Sequence, residues 1–214
     1  NNKELAMLGR IHNYAQFLES FQMAREAGFS NINVDLMFAI PGQCYEGWIE
    51  NLRMVAALGP EHISAYSLII EEGTPFSRKK LDLPDEDTEY RMYEDVAVVL
   101  KEYGYHQYEI SNYARDGYEC RHNVGYWIRR DYLGFGIGAA SLIDNVRFQN
   151  EKSLGAYLAH PLESREEEQT LTVQDRMEET MFLGLRLTRG VSCVDFAEQY
   201  GRTVEEVYGE VIAR

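Results

Sequence analysis

The chain has 214 residues, 45% of them apolar, and a formal net charge of −14. That length suits one large domain, or one with a small companion, and the apolar share supports a real core. The acidic surplus works against a nucleic-acid role, which needs clustered Lys and Arg, and no apolar run approaches the ~18 residues of a membrane span. Cys44, Cys120 and Cys193 are widely spaced. They suit free thiols in a reducing cytoplasm better than a disulfide framework, and they form no local ligating run. No signal peptide is visible, Asn1 opens the chain, and Glu4 to Leu8 already reads as helix. The expectation is a piece of a longer protein, cut at both ends.

Tyr14, Phe17, Leu18, Phe21 and Ala24 fall at helical spacing, with Gly28 placed to end the helix. Ile32 to Phe38 reads as a strand closed by Pro41-Gly42. Trp48, Ile49, Leu52, Val55 and Ala56 form the next helical stripe, stopped by Gly59-Pro60. His62 to Ile70 is rich in β-formers and reads as a second strand. Asp85, Glu86 and Asp87 suit the positive end of a longer helix, whose apolar face is Met92, Tyr93, Val96, Val99, Leu100 and Tyr103. Gly104 ends it and Tyr105 to Ile110 is a third strand. Strands alternating with helices predict a parallel α/β architecture, whose chemistry sits at the carboxyl ends of strands. Here those ends are Met37 to Gln43 and Ile69 to Pro75.

After Asp131 the texture changes. Ala139 to Phe148 reads as a hairpin around Asp144-Asn145. Ser164 to Gln169 is a charge run that predicts a solvated linker. Thr172 to Leu187 is helical, with Thr172 and Asp175 approximating a capping box. Two short helices follow, near Val194–Tyr200 and Thr203–Ala213, hinged at Gly201-Arg202. The acidic charge favours a packing module there over a DNA-reading helix pair.

Two segments carry chemistry. His122-Asn-Val-Gly-Tyr126-Trp127 lies between Tyr108–Ala114 and the glycine-rich Leu133–Ser141, beside Cys120, Arg121, Arg129 and Arg130. Imidazole or thiolate can ligate iron, aromatic faces can cover a macrocycle, and arginines can pair with carboxylates. A packed turn whose polar tips find backbone partners accounts for the same residues. Gly134-Phe-Gly-Ile-Gly-Ala139 matches a dinucleotide fingerprint by letter. A hairpin rather than a helix follows it, so its glycines serve a tight bend or a close backbone approach. His12, His106 and His160 show no chemical partners in the sequence. The other segment centres on Asp35. A carboxylate within an apolar strand needs a partner or a ligand, and Arg10 is one candidate partner.

In order, Met7-Leu-Gly-Arg10, then Asp35-Leu-Met-Phe-Ala-Ile-Pro-Gly-Gln43 with Asp35 25 positions after Arg10, then His62 to Pro75, resemble the HemW branch of the radical S-adenosylmethionine (SAM) superfamily. That branch is a relative of oxygen-independent coproporphyrinogen III oxidase. The likeness runs from Leu8 to about Leu142 and thinly beyond, and Tyr108–Tyr113 with His122–Trp127 favours HemW over the oxidase proper. It implies the C-terminal part of an incomplete (β/α)6 radical SAM barrel over residues 1–83. An α+β extension over 84–150 and a small, mostly helical module over 151–214 follow. It also implies SAM contacts from Arg10, to the carboxylate region, and Asp35, to the ribose, with Met37 and the Ile69 backbone near the adenosine. For haem it implies His122 first and Cys120 second as ligands, with Tyr126 and Trp127 nearby. The [4Fe–4S] cluster of the superfamily needs a Cys-x-x-x-Cys-x-x-Cys loop, which is absent here and belongs upstream. The implied function is haem chaperoning in haem and porphyrin metabolism, with a haem-accepting partner and membrane contact only through a partner. The alternative is oxidative decarboxylation of coproporphyrinogen propionates by a SAM-derived radical.

Overall fold

Asn2–Met7 forms helix α1 and Tyr14–Glu26 forms α2. Asn13 opens α2 through a capping box with Gln16, satisfying two backbone donors at once. The computed structural model describes residues 1–161 and 165–213, and the chain divides into two units, residues 1–119 and 120–214.

The first unit is built on a βαβ crossover. Strand β1 (Asn33–Phe38) and strand β2 (His62–Ser67) pair in parallel from Asn33↔His62 to Phe38↔Ser67, with α3 (Tyr45–Ala57) between them in sequence. Helix α4 (Glu86–Glu102) starts at Asp85, whose carboxylate accepts from the Thr88 N–H at 2.8 Å. Val34, Phe38, Ile63 and Ala65 of the strands bury against Trp48, Leu52 and Val55 of α3 and Met92, Val96 and Leu100 of α4. Because strand side chains alternate, this leaves Asn33, Asp35 and Met37 on the opposite face.

Two expectations need correcting here. Strand β2 stops at Ser67 rather than Ile70, because β1 ends opposite it. Ala39 takes a left-handed φ of 55° and removes any further pairing partner. The expected third strand is a hairpin: β3 (His106–Glu109) and β4 (Asn112–Ala114), with β4 inserted next to β2 in the order β1-β2-β4-β3 and antiparallel to both neighbours. The buried Glu109 carboxylate closes its turn, accepting from the Ser111 N–H at 2.9 Å and the Asn112 amide at 2.5 Å.

The second unit opens with helix α5 (Arg121–Trp127), so the His122 segment is a helix and not the packed turn weighed from the sequence. Strands β5 (Ala140–Ile143) and β6 (Val146–Asn150) form the expected hairpin. Positive φ at Asp144 (50°) and Asn145 (64°) gives the two-residue turn the right twist. Gly134 is a close backbone approach: a Cβ there would stand 2.3 Å from the Ala140 carbonyl oxygen. Helix α6 (Leu154–Ala159) follows, and then Arg165–Thr170, expected as linker, adds to β6 as strand β7. Ser164, the first residue of that charge run, lies outside the described residues. Helix α7 (Val173–Gly184) begins at the expected Thr172–Asp175 capping box, and α8 (Cys193–Tyr200) and α9 (Val204–Ile212) follow. Met177, Phe196 and Val204 form the core of these three helices. Among the described residues no helix is long and apolar enough to cross a membrane.

Candidate functional site

The polar face of the first unit's sheet follows from strand register. Asn33 lies beside His62, Asp35 beside Ser64 and Met37 beside Tyr66. Asp35 is exposed, and its partner is Asn33, two residues away on the same face, whose amide donates to Oδ1 at 2.6 Å. Asn33 Oδ1 in turn meets His62 Nδ1 at 2.6 Å and the Ser64 hydroxyl at 3.3 Å, and His62 Nε2 meets the Tyr108 hydroxyl at 2.8 Å. Arg10, the partner suggested by the sequence, is exposed in the turn after α1. A cavity of about 120 Å³ is lined by Asp35, Val34, Trp48 and, from the N-terminal segment, His12 and Tyr14, and not by Arg10. Met37 is half-buried at the carboxyl end of β1 and Ile69 is exposed just after β2. At the same end of β1, Gln43 is buried with both amide atoms unpartnered among the described residues. A buried amide in that state is costly, and a polar group from a ligand would relieve it.

Burial lowers the His62 pKa from its ordinary value of 6.5, against the opposing pull of Asp35, Glu109 and Glu119. The unfolded chain therefore binds a proton at higher pH than the folded one. The contribution is complete above the ordinary histidine range and is lost as pH falls below it. Urea titrations at about pH 7.5 and about pH 5 are expected to show the first unit weaker at the lower pH, with a flatter dependence in His62→Gln. An equal pH dependence in the variant would show that His62 is not the titrating group.

In the second unit, His122 and Tyr126 are four residues apart on α5 and so share one face. Their rings meet edge to face at 4.7 Å, and Tyr126 meets Tyr132 at 4.6 Å. With Arg121, Gly125, Arg130 and Asp131 these side chains line a cavity of about 240 Å³. Trp127, one position on, turns away. The Arg186 guanidinium lies 4.3 Å from its ring centre, and Trp127 lines a different cavity with Leu187, Val191 and Phe196. Cys120 holds the N-cap position of α5 and does not line the His122 cavity. Arg129 is not available to a ligand either. Its Nε donates to Glu179 Oε2 at 2.7 Å, its two terminal nitrogens to Asn145 Oδ1 at 3.1 Å, and its side chain is buried. Arg121 and Arg130 remain as the cationic groups.

His106 does have partners: Asp116 at 3.3 Å and Glu119 at 3.0 Å. His160 caps α6 and also interacts with a neighbour. The three cysteines form no disulfide, and among the described residues no three His, Cys, Asp or Glu side chains converge to hold a metal ion. The polar chain from Asn33 through His62 to Tyr108 escaped sequence reading. Its signal was present as polar residues at alternate positions, Asn33-x-Asp35 and His62-x-Ser64.

A family model described as the HemN C-terminal domain matches residues 171–214. The heme chaperone HemW of Bacillus subtilis (strain 168) is 40% identical to this chain over 97% of it and 57% of the relative. That of Lactococcus lactis subsp. lactis is 37% identical over 99% and 57%. Both therefore extend the likeness well past Leu142, where it was expected to thin. The chain spans just over half the length of these relatives. Coproporphyrinogen III oxidase (HemN) from Escherichia coli, described as a radical SAM enzyme, matches with a TM-score of 0.81 at 20% identity, covering 100% of this chain and 53% of that one. That likeness shows the fold: the C-terminal part of an α/β radical SAM architecture carrying a helical C-terminal module. Across nearly its whole length the chain is thus similar to the relatives named heme chaperone HemW.

Proposed function

We propose that the protein binds haem and SAM and acts as a haem chaperone in the cytoplasm, passing haem to an acceptor protein and meeting membranes only through that partner. The observation that carries this is the 40% identity over 97% of the chain to a relative named heme chaperone HemW. The absence of disulfides among its cysteines suits a reducing compartment.

Residues 1–83 read as the barrel segment, 84–150 as the extension and 151–214 as the helical module. For SAM, Asp35 is the ribose contact, Arg10 the carboxylate contact, and Met37 and the Ile69 backbone flank the adenosine. A carboxylate suits a diol and a guanidinium fork suits a carboxylate. The open Asp35 carboxylate and the unpartnered Gln43 amide at the carboxyl end of β1 fit a polar ligand there. The thiolates of a [4Fe–4S] cluster are placed outside residues 1–214, since the three cysteines here sit on separate elements.

For haem, His122 is the residue that would supply an iron-ligating imidazole. Its exposed imidazole is steadied by the Tyr126 edge, Tyr126 and Tyr132 offer aromatic surface, and Arg121 and Arg130 are set to meet propionates. The separate placement of Cys120 and Trp127 makes them secondary candidates.

In the complete protein, His122→Ala is expected to shift the Soret band and weaken haem binding while leaving the Tm of the haem-free protein nearly unchanged. His160→Ala should alter neither haem property. A lowered haem-free Tm with an unchanged haem spectrum would overturn the ligand assignment. Turnover of coproporphyrinogen III by the complete protein, read by product analysis, would overturn the chaperone reading in favour of decarboxylation.

A further inference from the structure

We infer that Asn33 and His62 are positioning residues that fix the Asp35 carboxylate for a vicinal diol, through a directed hydrogen-bond chain running Tyr108 to His62 to Asn33 to Asp35. The inference rests on the reading of Asp35 as a ribose contact and adds the device that orients it.

The direction of the chain follows from donor and acceptor chemistry. An ionised carboxylate only accepts, so the Asn33 atom 2.6 Å from Asp35 Oδ1 is the amide nitrogen. The amide oxygen then faces His62 Nδ1 at 2.6 Å and accepts from the Ser64 hydroxyl at 3.3 Å. Nδ1 must therefore carry the proton, which leaves Nε2 as an acceptor for the Tyr108 hydroxyl at 2.8 Å. Each link has one workable polarity, and each sets the next.

Burial favours the neutral imidazole that this chain requires. Asp35, Glu109 and Glu119 face it with negative charge and oppose that preference. His62 and Tyr108 are both buried, while Asn33 and Asp35 are exposed. The chain thus runs from a rigid interior outward to a solvent-facing carboxylate. Asp35 has no cationic partner among the described residues, so its charge is not neutralised within the protein. Asn33 uses one acceptor position of Oδ1 and leaves Oδ2 to a ligand. A carboxylate held by one neutral amide keeps both orientation and hydrogen-bonding capacity, and a diol needs both. A purely structural role, tying β1 to β2 and β3, predicts the same bonds but no ligand selectivity.

The test uses the complete protein, with S-adenosylhomocysteine and its 2′,3′-dideoxy analogue as probes and calorimetric titration as the readout. Asp35→Ala is expected to weaken binding of S-adenosylhomocysteine by about ten- to a hundredfold and leave the dideoxy analogue unaffected. His62→Phe should lose about three- to tenfold of the same discrimination. His62→Asn, whose amide nitrogen falls near the place of Nδ1, should restore it to within about twofold. Should His62→Phe fail to fold, Tyr108→Phe breaks only the innermost link and is expected to reduce the discrimination by about threefold. Imidazole nitrogen shifts in labelled wild-type protein then give a second reading, with the Nδ1–H tautomer expected. Full discrimination in His62→Phe or Tyr108→Phe, or an Nε2–H tautomer, overturns the positioning role and leaves the Asp35 reading intact. Full discrimination in Asp35→Ala overturns that reading and the inference with it.

Discussion

Replacing Glu179 with alanine is expected to destabilise the second unit by about 3–5 kcal/mol, the cost of breaking a buried ion pair from one side. Glu179 on α7 receives Arg129 on one oxygen and Arg147 on the other, both at 2.7 Å, and the side chains of Glu179 and Arg129 are 7% and 5% exposed. Without the carboxylate, the Arg129 side chain keeps, among the described residues, the Asn145 amide oxygen as its hydrogen-bond partner. The loss also falls on strained backbone, since Arg129 sits at φ 57°, a conformation that a side chain with a Cβ adopts only when its surroundings enforce it. Glu179→Gln keeps an acceptor and is expected to cost less. Urea denaturation followed through Trp127 fluorescence measures both variants. A loss below about 1 kcal/mol for Glu179→Ala would show that the pair behaves as an exposed one.

In the first unit, the largest loss is expected from Trp48→Ala, at about 3–5 kcal/mol. Trp48 is 1% exposed and packs its ring 5.2 Å from that of Phe38. Its indole N–H donates to the Met92 carbonyl at 3.1 Å, joining α3 to α4. Removing it opens a cavity behind β1 and takes away that link between the helices, while the Met92 carbonyl keeps its bond within α4. Trp48→Phe isolates the second effect and is expected to cost about 0.5–1.5 kcal/mol. Far-UV circular dichroism in a urea series reads both. Equal losses in the two variants would mean that the hydrogen bond, rather than the packed ring, dominates.

The helices were legible where local chemistry and periodicity agreed. Tyr14–Glu26, Tyr45–Ala57, Glu86–Glu102 and Val173–Gly184 each combine an apolar stripe with a recognisable start or stop. The Asp144-Asn145 hairpin was legible because both residues tolerate left-handed backbone. Strand β4 was not, because three residues carry no period. Helix α5 was hidden by Gly125 in the middle of a seven-residue helix that lacks a side-chain cap. At the site, Asp35 was legible as an anomaly, a charge within a strand, but its partner was not. The sequence offered a distant arginine as one candidate, whereas strand alternation had already put Asn33 beside it. His62 could be placed only by the strand register, since its partners come from β1 and β3. The arginines show the converse error. Three cations near His122 in sequence became two once Arg129 was drawn into the interior.

Strand β7 carries a consequence for how copies of this protein meet. It lies at the outer margin of the β5-β6-β7 sheet, where unsatisfied backbone groups invite another strand to add. Its sequence is Arg165-Glu-Glu-Glu-Gln-Thr170, mostly exposed, so a second β7 arriving alongside would bring three more carboxylates against three. Charge repulsion and the cost of stripping water from those groups discourage a continuous intermolecular ribbon. The composition that makes this segment look too polar to be a strand is thus what lets a strand stand at a margin without recruiting its own kind.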